Sequence, residues 1–362
     1  MKIMYLLFSF TTGGTERLVA DICNEMADRG HEVHLYVVND LYTHSMLDTL
    51  GEKVRIELQK RPVGGGDKLN TLMRIARYIR KHKIEVIHCN SLDAPELLVL
   101  KPVAFPGTRV VYTVHNMTGY RTLSGVKVRY RNMLCHRLIA ISESVRQEML
   151  ACGADSRKTV TVYNAIDLAR FSRGGTKEFD AERPVIGNVA RIDSAVKGQD
   201  VLIRATAALR DRYPGLRCLL AGAADEAHRE DERALRKLAE DLDMEENVIF
   251  LGNVGNIPEF LEKIDIFVLP SRSEGFGISL VEAMAMGVPC VASSLDGPAE
   301  VLCNGKYGQM FRVGDPEDLA EQLANMIENL DFYKKEAERA VKAVRELYDI
   351  RRMCDSLLSA YL

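Results

Sequence analysis

The stretch Pro270 to Pro289, PSRSEGFGISLVEAMAMGVP, limits the folds open to this chain more than any other segment. Just before it stands the apolar run Ile266-Phe267-Val268-Leu269, which reads as a strand buried on both faces. After Gly277, the residues Leu280, Val281, Ala283 and Met284 suit the inward side of a helix. A buried strand that turns through glycine into a helix belongs in a parallel α/β sheet. Ligands bind at the carboxyl end of such strands, where the free N–H groups and dipole of the helix favour an anion, typically a phosphate. Gly275 and Gly277 allow close backbone approach. Glu274 and Glu282 flank the turn, and carboxylates accept hydrogen bonds in pairs, which suits sugar hydroxyls. Taken alone, the same residues also fit an ordinary capped helix with a solvated glutamate.

The alternation of strand and helix runs through the whole chain. Residues 2–10 read as a strand, Gly13-Gly14-Thr15-Glu16 as a glycine turn, and 17–28 as a helix with Leu18, Ile22 and Met26 at four-residue spacing. Further strands are expected at 33–38, 54–58, 85–89, 109–115, 137–141 and 159–163, with helices at 68–81, 95–104 and 126–135. Residues 168–183 lack apolar periodicity and read as a linker. The pattern then restarts, with strands at 184–189, 216–221, 248–251, 265–269 and 289–292. Helices are expected at 199–212, 225–242 and 257–263, after Gly277, and from 316 onward. A length of 362 residues suits about two domains. The expected division is a first Rossmann-like lobe over 1–168, a linker over 169–183, a second lobe over 184–347 and a last helix over 348–362.

Charge separates the halves. Residues 1–167 carry 23 Lys and Arg against 17 Asp and Glu, and the remainder 25 against 34. Basic residues gather at Lys68, Arg74, Arg77, Arg80, Lys81 and Lys83, and between Asn116 and Ser142, where five stand with no acid. Such a surface suits an anionic membrane or simply a solvated helix face. A pI near 6.3 and the lack of a nucleic-acid motif weigh against nucleic acid. No run of 18 apolar residues exists. The first ten residues imitate a signal segment, but no small-residue cleavage site follows, so they read as a strand and the chain as cytoplasmic. The eight cysteines have no metal-binding spacing and suit reduced core thiols.

The pattern E-G-F-G-x-x-x-x-E-A-M-A-x-G-x-P resembles the acidic signature of the retaining glycosyltransferases of family 4, group 1, which have the GT-B fold. That resemblance implies two Rossmann-like lobes with parallel sheets facing across a cleft, the first lobe taking the acceptor and the second the donor, with the last helix crossing back to the first lobe. It implies that Glu282 holds the nucleotide ribose, that Glu274 contacts the donor sugar, and that the backbone of Gly275, Phe276 and Gly277 lies along sugar and diphosphate. Arg191 and Lys197-Gly198 match the family's cations for the leaving diphosphate, a place where a guanidinium fork and an ammonium suit the chemistry. Ala190 stands where glycine is frequent, and Ala165 replaces the usual glycine of Asn-Gly-Val-Asp. His115 matches a histidine that touches the donor sugar, in binding more than in proton transfer. Gly13 and Gly14 match a glycine loop near the diphosphate and acceptor, although the full G-x-G-x-x-G of NAD and FAD proteins is absent. The formal D-x-D at Asp241-Leu242-Asp243 ends an acidic helix and reads as solvent-facing, so neither metal nor cofactor is expected.

The reading is a hexosyltransferase that moves a sugar, with retention, from a nucleoside diphosphate sugar, by family habit a UDP-sugar, to a hydroxyl of a glycan or lipid-linked acceptor in cell-surface polysaccharide synthesis. The expected location is the cytoplasm, with contact at the inner membrane face through the basic first lobe. A nucleotide-sugar epimerase of the same fold and a non-catalytic nucleotide-sugar-binding subunit of a glycan-assembly complex are the alternatives. The four charges Glu274, Glu282, Arg191 and Lys197 weigh against the last, because a degenerate site sheds charges that are costly to hold together.

Overall fold

Apolar runs rich in Val, Ile and Leu, bounded by glycine and polar turns, form two all-parallel sheets, each covered by helices. The computed structural model describes residues 1–65, 67–115, 117–171 and 179–362. One unit comprises residues 1–165 and 350–362, the other residues 166–349. Of the stretch expected to be a linker, residues 172–178 lie outside the described residues, as does Asn116 of the basic region.

In the first unit β1 (Lys2–Leu7), α1 (Gly14–Asp28), β2 (Glu32–Asn39), α2 (His44–Leu47), β3 (Val54–Arg61) and α3 (Lys68–His82) lead to β4 (Val86–Cys89). There follow α4 (Lys101–Ala104), β5 (Arg109–Val114), α5 (Met117–Arg121), α6 (Gly125–Leu134), β6 (Arg137–Ala140), α7 (Glu143–Ala151) and β7 (Thr159–Thr161). The strand order is β3-β2-β1-β4-β5-β6-β7. Winding reverses at β1 and β4, so right-handed crossovers place α1 and α2 on one face and α3, α4 and α6 on the other. Ser142 caps α7 through a bond from the Val145 amide (3.2 Å). Ala165 keeps an ordinary φ, so its replacement of glycine costs no backbone strain.

The second unit repeats the logic with β8 (Val185–Val189), α8 (Ser194–Lys197), α9 (Gln199–Ala208), β9 (Arg217–Ala221), α10 (Arg229–Asp241), β10 (Val248–Gly252), α11 (Ile257–Lys263), β11 (Ile266–Leu269) and α12 (Ile278–Ala285). β12 (Cys290–Ser293), α13 (Asp296–Val301), β13 (Gln309–Phe311), α14 (Pro316–Glu328) and α15 (Leu330–Leu347) complete it. Its order is β10-β9-β8-β11-β12-β13, with the reversal between β8 and β11. Leu202, Ile203, Leu220, Ile266, Val268 and Leu323 sit at the centre of the core beneath α9, α10 and α14. Leu280, Val281, Ala283 and Met284 of α12 are buried, as their spacing predicts.

Some expectations are corrected. The helix expected over 95–104 is a 3₁₀ turn, Ala94–Leu98, followed by the single-turn α4, because Pro102 has no N–H for a helical bond to the Leu98 carbonyl and its ring clashes there, whereas Pro95 stands in a first turn where proline is tolerated. The acidic helix begins only at Arg229, after the 3₁₀ turn Glu226–His228. The strand β13 and the short helices α2, α5, α8 and α13 were not expected, since three to six residues are too few to show a period, and the nine-residue α7, with only Val145 and Met149 buried, was missed as well.

The last helix, α16 (Ile350–Tyr361), packs on α1 and β5 of the first unit. Arg29 donates to Asp355 (2.6 Å) and to the Arg351 carbonyl (2.7 Å). The hydroxyl of the fully buried Tyr361 lies 2.7 Å from His88 Nδ1 and 3.1 Å from the Tyr5 hydroxyl, while His88 Nε2 meets Thr113 Oγ1 at 2.6 Å. Arg109 donates to the Tyr361 carbonyl at 2.7 Å. Burial, reinforced by His115, pushes His88 down to about 3, so it is neutral in the fold. An unfolded histidine binds a proton below about pH 6.5, so between that value and 3 the unfolded chain holds the extra proton. Stability is therefore full above pH 6.5 and falls as pH falls through this window. Denaturant titrations should show His88 removing about 2 kcal/mol of unfolding free energy between pH 7.5 and 5, and His88→Gln should flatten that slope.

Candidate active site

Arg191, Lys197, Glu274, Gly275, Phe276, Gly277 and Glu282 all lie in the second unit, on or beside the two loops at its switch point. The loop after β8 passes Ala190 and enters α8, whose first turn Asp193 caps through a bond from the Val196 amide (3.2 Å). It ends at Gly198, with φ +66°, where an added Cβ would stand 2.0 Å from the Pro270 carbonyl oxygen. Only glycine lets the two loops come this close. The Arg272 amide then donates to the Val196 carbonyl at 2.8 Å, and the Ser273 amide approaches the same oxygen at 3.3 Å.

That contact sets the charged pair. Lys197 Nζ lies 2.8 Å from Glu274 Oε2, with both side chains largely buried. An ammonium has three donors, so Lys197 keeps capacity for a further anionic partner. Arg191 stands half-exposed, 3.4 Å from Asp193 and 3.5 Å from Asp225, in long, loose contacts that cost little to exchange. Glu282 sits on the second turn of α12, partly buried. Gly277, at φ +96°, is the residue before that helix, and its neighbour Gly275 is backed by Gly297 of α13, where a Cβ would come within 2.6 Å of the Gly275 carbonyl. The ring of Phe276 is buried and meets Tyr348 edge to face at 5.3 Å, so only its backbone can serve a ligand.

Gly13, Gly14 and His115 belong to the first unit. Neither glycine has a positive φ, so the turn does not need glycine for its backbone. Gly13 is extended and caps α1, and a Cβ there would meet the flexible Glu16 carboxylate at 2.5 Å. His115 follows β5, with Nε2 3.1 Å from Asn90 Oδ1. Its buried Nδ1 has no hydrogen-bond partner among the described residues. Desolvation lowers it to about 4, so the ring is neutral near pH 7 and suits hydrogen bonding more than acid catalysis.

Metal-ligand groupings were not legible in the sequence, yet the fold gathers two trios of ligand-type side chains, Glu32, His34 and His82, and Asp193, His228 and Asp231. Cations already answer their acids: Lys2 and Arg55 on Glu32, Arg191 on Asp193. Asp243 of the D-x-D is exposed.

Residues 175–347 match the family model described as glycosyl transferases group 1, and residues 12–170 that of glycosyltransferase family 4. A phosphatidyl-myo-inositol mannosyltransferase of Mycolicibacterium smegmatis is 30% identical over 366 aligned positions, covering 96% of this chain and 90% of its own. The chain belongs to the family 4, group 1 glycosyltransferases. An N-acetyl-alpha-D-glucosaminyl L-malate synthase of Bacillus anthracis is 24% identical, with 97% of this chain and 94% of its own covered. Among solved structures, the Anabaena protein HepE in complex with UDP and glucose superposes with a TM-score of 0.85 at 22% identity, over 99% of this chain and 98% of its own. Sucrose-phosphate synthase from Thermosynechococcus elongatus does so at 0.82 and 17%, over 100% and 98%. The fold of this glycosyltransferase is GT-B.

Sequence reasoning missed the residues that brace the glycosyltransferase's two loops. Arg272 forks onto Asp200 through Nη1 and Nη2, at 2.6 and 2.7 Å, and also donates to the Ser194 carbonyl at 2.7 Å. Asp200 raises the basicity of Arg272 further through these bonds. Arginine lies two residues before Glu274, but nothing in a single chain marks its partner 72 positions away. Arg272→Ala should lower unfolding free energy by roughly 1–3 kcal/mol. Arg272→Lys should recover little of it in the same denaturant titration, because one ammonium does not reproduce the fork.

Proposed function

We propose that this glycosyltransferase moves a hexosyl group, with retention, from a UDP-sugar to a hydroxyl of a glycan or lipid-linked acceptor in cell-surface polysaccharide synthesis. The observation that carries the reading is the Lys197–Glu274 pair held at the switch point beside the N-terminus of α12. An anion there meets a helix dipole, an ammonium and, after a short swing, the Arg191 guanidinium. In this reading Arg191 and Lys197 take the charge that grows on the leaving diphosphate, fixed in place before reaction starts. Glu274 orients the donor sugar, Glu282 accepts from the ribose hydroxyls, and the Gly275–Gly277 backbone lies along sugar and diphosphate. His115 contributes a neutral ring nitrogen to a sugar hydroxyl, and Gly13 and Gly14 give the donor diphosphate and acceptor access to the start of α1. The donor phosphate itself takes the proton of the attacking hydroxyl from the same face as its bond to the sugar breaks, and Arg191 and Lys197 fill the charge-stabilising role in this reading without a metal or cofactor.

Two similarities support the donor and acceptor classes. HepE was solved with UDP and glucose, and the mannosyltransferase of Mycolicibacterium smegmatis is named for a phospholipid acceptor. No helix among the described residues is long and apolar enough to cross a membrane. In this reading a lipid-linked acceptor is met at the inner leaflet, with the basic first unit against it.

Purified protein should be screened against UDP-, GDP- and ADP-sugars by thermal shift and diphosphate release. UDP-sugar is expected to raise the melting temperature and turn over slowly into water, and Glu282→Ala should weaken donor binding roughly 10- to 100-fold. A folded protein that shifts with no nucleotide would overturn the reading.

A further inference from the structure

We propose that the outer face of the first unit formed by α3, residues 94–104 and α6 docks on an anionic lipid bilayer. This deepens the reading of the basic first unit as membrane-facing, and it assigns the elements and side chains that make the contact.

All three elements lie in connections that run the same way across the sheet, β3 to β4, β4 to β5 and β5 to β6, so right-handed crossovers bring them to the same side. α3 packs on the 94–104 segment. α6 is tied to that segment by Lys127 to Asp93 (2.8 Å), by Arg131 to Glu96 (2.8 Å) and by the Tyr130 hydroxyl to the Pro95 carbonyl (3.3 Å).

Each element turns large apolar side chains to solvent. α3 buries Thr71, Ile75, Ala76 and Ile79 and exposes Leu69 and Met73, one turn apart. Val103 is 90% exposed and Val99 half so. On α6, Val126 (78%) and Met133 (74%) stand seven residues apart on one stripe. Six such side chains on three adjoining elements exceed the scattered exposure usual for a soluble surface.

Cations share the stripes. Leu69 and Met73 continue along α3 into Arg77 and Arg80, and Arg129 stands between Val126 and Met133. Among the described residues, Lys68, Arg77, Arg80, Lys81 and Arg129 appear in no ion pair with an acid, and α3 contains no acidic residue. Long cationic side chains lie along apolar surface with their heads in the headgroup layer while Leu, Met and Val enter the acyl boundary. A nucleic acid or other soluble polyanion would satisfy the charges and leave the apolar groups without a partner. The pairing of both kinds on one face therefore selects a bilayer.

Co-sedimentation with vesicles of phosphatidylcholine alone, and with about a third phosphatidylglycerol, tests the assignment. Wild-type protein should bind the anionic vesicles at least about tenfold more tightly, and Arg77→Glu with Lys81→Glu should lower that binding by more than about tenfold. Leu69→Ser with Met73→Ser should lower it about fivefold or more, and Arg233→Glu on the exposed face of α10 should leave it unchanged. Far-UV circular dichroism and the melting temperature certify that each variant is folded. No preference for anionic vesicles, unchanged binding in either double variant, or equal affinity for a soluble polyanion would overturn the proposal. Donor binding measured without vesicles separates the two ideas. Loss of donor binding alone would sink the transferase chemistry and leave the docking face standing, and loss of vesicle binding alone would do the reverse.

Discussion

The second unit depends on a place where two backbones nearly touch. Gly198 sits under the Pro270 carbonyl at a distance that admits no side chain, and two further contacts of the same kind surround it. A Cβ at Gly222 would fall 1.9 Å from the Ala190 carbonyl, and one at Gly297 would fall 2.6 Å from that of Gly275. Three glycines, one each in the segments after β8, β9 and β12, thus set how far apart the chain stands beyond β8, β9, β11 and β12. The charged groups follow from that spacing. Lys197 reaches Glu274 because its own neighbour is pressed against the strand end that carries Glu274, and Arg272 then fixes the arrangement with its fork. The order of cause runs from sterics to electrostatics.

The first unit is organised by a different constraint. Its sheet centre contains polar groups, Tyr5, His88 and Thr113, that no water reaches and that must find partners within the protein. The hydroxyl of Tyr361 supplies one, so the last helix closes a network opened by β1, β4 and β5. His88 and His115 both remain neutral there, for the same reason: neither has a carboxylate near enough to offset desolvation.

Much of the fold was legible because a buried parallel strand is a contiguous apolar run and a long helix shows its period. Elements of three to six residues carry no period, so β13, α8 and α13 escaped. Of the site, Glu274, Gly277 and Glu282 were legible because one strand, turn and helix holds them all in a single stretch of sequence. Arg191 and Lys197 stood out only by likeness to a family, since two cations in a loop usually mean solvent. The partners of the bracing contacts lie far off in sequence: Asp200 is 72 residues from Arg272, and Gly222 is a lone glycine whose neighbour is a carbonyl just past the end of β8. Gly13 was legible as part of a glycine turn, but its extended backbone and the flexible Glu16 carboxylate that lies where a Cβ would be are visible only in the fold.

Because α16 belongs to the first unit, that unit is built from two pieces of chain with the whole of the second unit threaded between them. On the ribosome, β1 to β7 emerge with the face around Tyr5 and His88 still bare. At ordinary rates of synthesis, roughly 10 to 40 s pass before residues 350–361 follow. The second unit, uninterrupted from 166 to 349, can complete its core within that interval. The half of the protein made first is therefore the half finished last.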